Sequence, residues 1–169
     1  MQYQVIIALG SNLRGKSGSP KENLLEAAAL IEAALGSSVR LSSLWRSEAQ
    51  GMSRTSENFV NAVAVTRTSL SVESLLKTLQ GIEVSMGRCA RHGLYESRII
   101  DLDIIACGDC KIARPDLIVP HPRAHERLFV LLPLAELQPD FVLPGQSLSI
   151  RELIPMANPM EISCLQQLD

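Results

Sequence analysis

The sequence predicts an α+β fold of the ferredoxin-like type: a mainly antiparallel sheet in βαββαβ order, with helices packed on it and further elements extending it at the C-terminal end. Three observations predict it. Two stretches, 20–35 and 72–86, repeat apolar residues at helical spacing and are long enough to cover a sheet face. Stretches 3–9, 39–48, 59–66 and 97–105 are β-favouring and apolar. The two kinds alternate as strand, helix, strand, strand, helix, strand. With 169 residues the chain reads as one domain over 1–169, long enough for a single core.

The first strand stops at Gly10-Ser11-Asn12, a turn signal. Ser19-Pro20-Lys21-Glu22 then sets an N-cap serine, a proline at the first helical position and a capping-box glutamate in a row. Leu24, Leu25, Ala28, Ile31, Ala34 and Leu35 follow at helical spacing up to Gly36, a C-cap residue. The strand over 59–66, FVNAVAVT, is separated from the one before it by the polar loop AQGMSRTSE. The second helix carries Leu75, Leu76, Leu79, Ile82 and Met86 and ends at Gly87. Gly108-Asp109 marks a tight turn, after which Lys111-Ile112 starts a short return strand. HERLFVLLPLAEL predicts a helix up to or through Pro133, and 148–154 a last short one.

A net charge of −2 argues against a broad nucleic-acid or anionic-membrane surface. Four cysteines (Cys89, Cys107, Cys110, Cys164) are too few and too unevenly spaced for a secreted disulfide scaffold. The start MQYQVIIALG has no basic leader and only a short apolar run. The expectation is a cytoplasmic monomer that binds neither nucleic acid nor membrane.

The chemistry begins with SRIIDLDII, residues 97–105. As a strand it points Asp101 and Asp103 to one face, roughly 7 Å apart, and Ile100, Leu102 and Ile104 to the other. Two like charges among isoleucines are costly unless something positive lies between them. The plain alternative is a pair of salt-bridged surface aspartates. The apolar flanks favour a pair of hard oxygen ligands for Mg²⁺, which keeps waters and accepts one or two carboxylates with phosphate oxygens. Arg98, three residues before Asp101, projects to the opposite face unless the chain bends there. Arg88, Arg91, His92 and Arg98 form a basic group beside the aspartates, suited to phosphate. Cys107-Gly-Asp-Cys110 lacks the partner ligands of a zinc site and reads as structural.

Gly10-Ser11-Asn12, Glu83…Gly87-Arg88, Arg98-Ile-Ile-Asp101-Leu-Asp103 and Pro120-His121…Arg127-Leu-Phe129 together give the chain its resemblance to the 6-hydroxymethyl-7,8-dihydropterin pyrophosphokinases of folate biosynthesis. The likeness runs over about residues 5–154. It implies transfer of the β,γ-pyrophosphoryl group of ATP, the co-substrate, to the pterin hydroxymethyl oxygen with release of AMP, and two Mg²⁺ ions. By the same resemblance Asp101 and Asp103 are the metal ligands, and with Arg88 and Arg98 the catalytic group. Gln80, Glu83, Arg88, Arg98, Ile104, His121 and Arg127 match the ATP site. Gly10, Ser47, Gln50, Phe59, Asn61, Tyr95 and Phe129 match the pterin site, where Phe59 and Phe129 stack on the ring and the Asn61 amide reads its edge. Small-molecule pterin and ATP are thus the expected partners.

The chain departs from that family in two loops. Leu94-Tyr95-Glu96-Ser97 stands where a basic residue, Trp, Gly and Pro are usual, and Ala90 and Leu94 stand where two arginines are expected. Ser47-Glu48-Ala49-Gln50-Gly51 replaces Thr-Pro-Pro-Leu-Gly. A lid that closes less tightly is the expectation. Two other readings are a non-catalytic pterin- or nucleotide-binding relative, and a sugar-nucleotide transferase. The second would need a longer, doubly wound fold.

Overall fold

The computed structural model describes residues 1–47, 58–88, 98–157 and 166–168. Its elements are β1 (Tyr3–Ser11), α1 (Pro20–Leu35), β2 (Arg40–Leu41), β3 (Leu44–Ser47), β4 (Phe59–Thr68), α2 (Val72–Ser85), β5 (Asp101–Cys107), β6 (Ile112–Arg114), β7 (Leu117–Val119), α3 (Leu128–Leu137), α4 (Ile150–Leu153) and β8 (Gln166–Leu168). One sheet runs β5-β1-β4-β3-β8, with the short β2 also on β4, and every pairing in it is antiparallel. This is the expected βαββαβ sandwich.

Local chemistry explains the helices. Ser19 and Glu22 form the reciprocal capping box, the Ser19 amide donating to Glu22 Oε2 at 2.6 Å and the Glu22 amide to Ser19 Oγ at 3.4 Å. Gly36 closes α1 in the left-handed conformation, φ 60°, its amide donating to Glu32 O at 2.9 Å. The buried stripe of α1 is Leu24, Ala27 and Ile31 with Asn23, whereas Leu25 is 49% exposed and Ala34 is exposed too. The expected stripe was therefore rotated toward Leu25: the small Ala27 faces the sheet, where a leucine would hold the helix away.

Strand parity divides the interior. Val5, Ile7 and Leu9 of β1, Ala62 and Ala64 of β4, and Leu102 and Ile104 of β5 pack under α1 and α2. Ile6, Val63, Val65, Ile105 and Ala106 face the other way, against Val130, Leu131 and Leu134 of α3 and Ile150 and Leu153 of α4. The β1–β5 register shifts between Ile6 and Ile7, which pair with Ala106 and Ile104. The extra residue, Ile105, lets 105 and 106 both join the second cluster.

Several expected boundaries move, among them the start of the strand expected over 97–105, which begins at Asp101. The strand over 39–48 is two strands, because Ser42 takes over a ladder position: its hydroxyl donates to Ser43 O at 2.8 Å and accepts the Val63 amide at 3.0 Å. The return strand β6 pairs with β7 in a separate two-stranded sheet. The helix around Pro133 runs through it, but starts only at Leu128, after one 3₁₀ turn at Ala124–Glu126. No helix among the described residues is long and apolar enough to cross a membrane.

Candidate active site

The face under α3 and α4 changes character along the strands. At one end it is apolar. At the other, Gly10 pairs with Asn61 on one side and Asp101 on the other, so a carboxylate, a residue without a side chain and an amide form one row across the sheet. Asn61 in turn pairs with Trp45, Phe59 with Ser47, and Ala8 with Asp103. Since paired residues share a face, Asp101, Asp103, Asn61, Phe59 and Ser47 lie together around Gly10.

Asp101 holds the positive charge that the sequence called for. Arg88 Nη1 donates to its Oδ1 at 2.9 Å and Arg98 Nη1 to its Oδ2 at 2.6 Å. The strand begins at Asp101, so Arg98 stands before it, where the chain bends and brings the guanidinium onto the aspartate's face. Arg88 follows Gly87, whose φ of 102° turns the chain out of α2. It also pairs with the buried Glu83, which accepts the Leu102 amide at 2.8 Å. Burial raises the Glu83 carboxyl, against those two hydrogen-bonding partners. Asp103 is pushed up to about 6, first by burial and then by Asp101, against the pull of Arg127, Arg98 and Arg88.

His121 is set beside β5 by its amide, which donates to Ile105 O at 2.9 Å. Its Nδ1 accepts the Arg123 amide at 3.2 Å, so a neutral ring carries its proton on Nε2. Burial and Arg127 bring it down to about 4, which keeps the ring neutral at physiological pH. The Arg127 guanidinium lies 5.4 Å from the centroid of Phe129.

On the amide side, Asn61 Nδ2 donates to Ser47 Oγ at 2.8 Å and to Trp45 O at 3.3 Å. Oδ1 is left toward Gly10. A Cβ there would lie 3.6 Å from Asn61 Oδ1 and 4.0 Å from Phe59 Cδ1, ordinary contacts, and Gly10 is not among the glycines of positive φ. The fold does not require glycine at this point, and its lack of a side chain leaves the strand open to close approach.

A family model described as 7,8-dihydro-6-hydroxymethylpterin-pyrophosphokinase (HPPK) matches residues 6–139. The chain belongs to this family.

Among curated relatives, the 2-amino-4-hydroxy-6-hydroxymethyldihydropteridine pyrophosphokinase of Synechocystis is 38% identical over 153 residues, covering 90% of this chain and 75% of that protein. The enzyme of the same name from Pseudomonas aeruginosa is 39% identical over 152 residues, covering 85% and 86%. A solved HPPK-DHPS in complex with substrates superposes with a TM-score of 0.69 at 14% identity, over 92% of this chain and 43% of the other. That likeness speaks for the fold, and the chain spans less than half the length of that protein.

Magnesium fits what the HPPK fold presents here. No group of three or more His, Cys, Asp or Glu side chains able to hold a metal occurs among the described residues, and two carboxylates on one face suit an ion that completes its shell with water and phosphate oxygens. Arg98 Nε is buried without an acceptor among the described residues, a donor placed for an incoming anion. Gln80 is exposed one turn before Glu83. Ile104 does not join the group: strand parity turns its side chain into the core under α1 and α2. Gln50, Tyr95, Ala90, Leu94, Arg91 and His92 lie outside the described residues.

Sequence reasoning missed a polar knot behind Arg98, made by Ser11, Asn12 and Asn23. It also missed Glu136 of α3, which accepts from Trp45 Nε1 at 2.7 Å and from the Ser43 amide at 2.8 Å. Asn23 carried a legible signal: it stands four residues before Ala27 and eight before Ile31, on the apolar stripe of α1.

Proposed function

We propose that this chain transfers the β,γ-pyrophosphoryl group of ATP to the hydroxymethyl oxygen of 6-hydroxymethyl-7,8-dihydropterin, giving the pterin diphosphate and AMP, as a single cytoplasmic, monomeric domain of folate biosynthesis. The observation that carries this reading is the row Asp101–Gly10–Asn61 with Arg88 and Arg98 on the aspartate. A charged group suited to phosphate beside an amide suited to a ring edge, on one sheet face, supports the reading.

Phosphoryl transfer of this kind depends on positioning and on stabilising charge. Asp101 and Asp103 would hold two Mg²⁺ ions, which neutralise the triphosphate and polarise the phosphorus under attack. Arg98, with its unpartnered Nε, and Arg88 bind the transferred phosphates and take up charge as the bond to the α-phosphate breaks. Neutral His121 donates from Nε2 to a phosphate oxygen. Arg127, beside Phe129, adds positive charge at the same end. Phe59 and Phe129 stack on the pterin, and Asn61 offers Oδ1 to a ring N–H because Ser47 and Trp45 engage its Nδ2. Gly10 leaves room for the ring.

Purified protein with MgATP and the pterin should release AMP only when both are present, and EDTA should stop it. Folded protein that binds the pterin without forming AMP would make the chain a binding relative, and the reading would fall.

A further inference from the structure

Asn23 lies wholly buried in the first turn of α1, with no place in the site itself. Its Nδ2 donates to Ser11 Oγ at 3.1 Å, to Leu13 O at 2.9 Å and to Ile99 O at 3.1 Å. Two hydrogens thus serve three acceptors, on the end of β1, on the loop after it and on the segment entering β5. That segment is also held from the Asn12 side. The Arg98 amide donates to Asn12 Oδ1 at 2.7 Å, while Arg98 O accepts the amides of Asn12 at 3.0 Å and Leu13 at 3.2 Å.

Arg98 N and Arg98 O are therefore tied to Asn12 and Leu13 just after β1, and Ile99 O to Asn23 of α1. In an unbroken strand, the third residue before Asp101 would point to the opposite face. The tie holds the backbone out of the ladder until Asp101, and so delivers Arg98 Nη1 to Asp101 Oδ2 at 2.6 Å. The turn over the knot is close-packed: a Cβ on Gly15 would fall 2.7 Å from both Asn23 Oδ1 and Ile99 Cγ2. An apolar residue at position 23 could fill this space but would leave the three acceptors without Asn23's hydrogens.

We propose that Asn23 is a positioning residue for Arg98, acting on turnover through the Ile99 carbonyl. The proposal rests on the pyrophosphoryl-transfer reading, and its test separates the two. Asn23→Asp keeps the shape and removes the NH₂ donor; Asn23→Ser serves if the aspartate variant does not fold. Ile31→Ala, buried on the same helix away from the site, is the control for stability lost without repositioning.

At temperatures where all variants are folded, Asn23→Asp should lower kcat about ten- to hundredfold, as a misplacement on the order of 1 Å does, with the pterin KM changed less than about twofold. Ile31→Ala should leave kcat within about twofold despite an equal or larger fall in Tm. On an Arg98→Ala background, Asn23→Asp should slow the enzyme less than about threefold further, because residues acting through one another do not add. Equal slowing by Ile31→Ala, or full multiplication of the two losses, would overturn the proposal. A crystal structure of the Asn23 variant reads the same tie without turnover: the contact of Arg98 Nη1 with Asp101 should be lost, and its retention refutes the positioning role. Absence of AMP from the unmodified protein would instead refute the reaction.

Discussion

The two faces of the central sheet are built from the same strands and differ in one respect. Under α1 and α2 the inward rows are apolar through their middle: Val5, Ile7 and Leu9, then Val60, Ala62 and Ala64, then Leu102 and Ile104 with Ile100 just before β5. Only the small hydroxyls of Ser11, Thr66 and Thr68 are buried at their ends. On the opposite face the pattern is apolar at one end only, with Ile6, Val63, Val65 and Ile105 under α3 and α4. At the other end stand Gly10, Phe59, Asn61, Asp101 and Asp103. One face is spent on stability and the other is divided between stability and chemistry. The division falls within single strands, at Ala8, Asn61 and Asp103, so each site residue is fixed by a ladder whose other parity sits in the core.

Substitutions should respect that division. The largest effect belongs to the open end. Asp101→Ala and Asp103→Ala should each lower kcat by about 10³-fold or more, the scale of losing a charge-stabilising group. Cooperative unfolding should remain, since both lie at the edge of the packed rows. Near-normal turnover in either would break the assignment. On the continuous face, Leu75→Ala, wholly buried on α2, should cost about 2–5 kcal/mol in denaturant unfolding and leave the KM of either substrate unmoved where the protein is folded. A KM shift there would mean the faces are coupled. A smaller effect is expected from Phe59→Ala: about a tenfold rise in pterin KM, roughly 1.4 kcal/mol of lost stacking, with MgATP KM unchanged.

What the sequence could tell depends on how local each cause is. Ser19, Glu22 and Gly36 act within one or two turns of chain, and α1 starts and ends where they put it. The parity of Asp101 and Asp103 was equally local. The start of β5 was not: residues 97–100 read as strand, but Asn12 and Asn23, some 76 to 86 positions away in the chain, hold residues 98 and 99 out of the ladder. Ser42 broke an expected strand for the same kind of reason, since its hydroxyl meets Val63 across the sheet. Ile104 was assigned to the nucleotide site by resemblance alone; its side chain faces the core, as strand parity gives, so a part in that site would fall to its backbone. Tertiary hydrogen bonds by side chains are what periodicity cannot see.

The smallest expected effect tests how crowded the charge at the open end is. In metal-free buffer, Asp103 has its folded pKa raised from 3.8 to about 6. Between those values the native state binds the extra proton, so Asp103 stabilises the fold at low pH and that contribution is lost as pH rises through 6. His121 has its folded pKa lowered from 6.5 to about 4. Between those values the unfolded chain binds the extra proton, so its contribution is present above 6.5 and lost as pH falls toward 4. The two slopes oppose each other across nearly the same window and largely cancel in the unmodified protein. Urea unfolding from pH 4 to 6.5 should show Asp103→Asn gaining stability with pH more steeply than the unmodified protein, and His121→Gln less steeply. The difference between the variants should stay below about 2.7 kcal/mol per pH unit, the limit for one proton each. If both variants run parallel to the unmodified protein, neither group is perturbed by its neighbours. The open end would then be as well solvated as any surface, and the contrast between the faces would be one of shape alone.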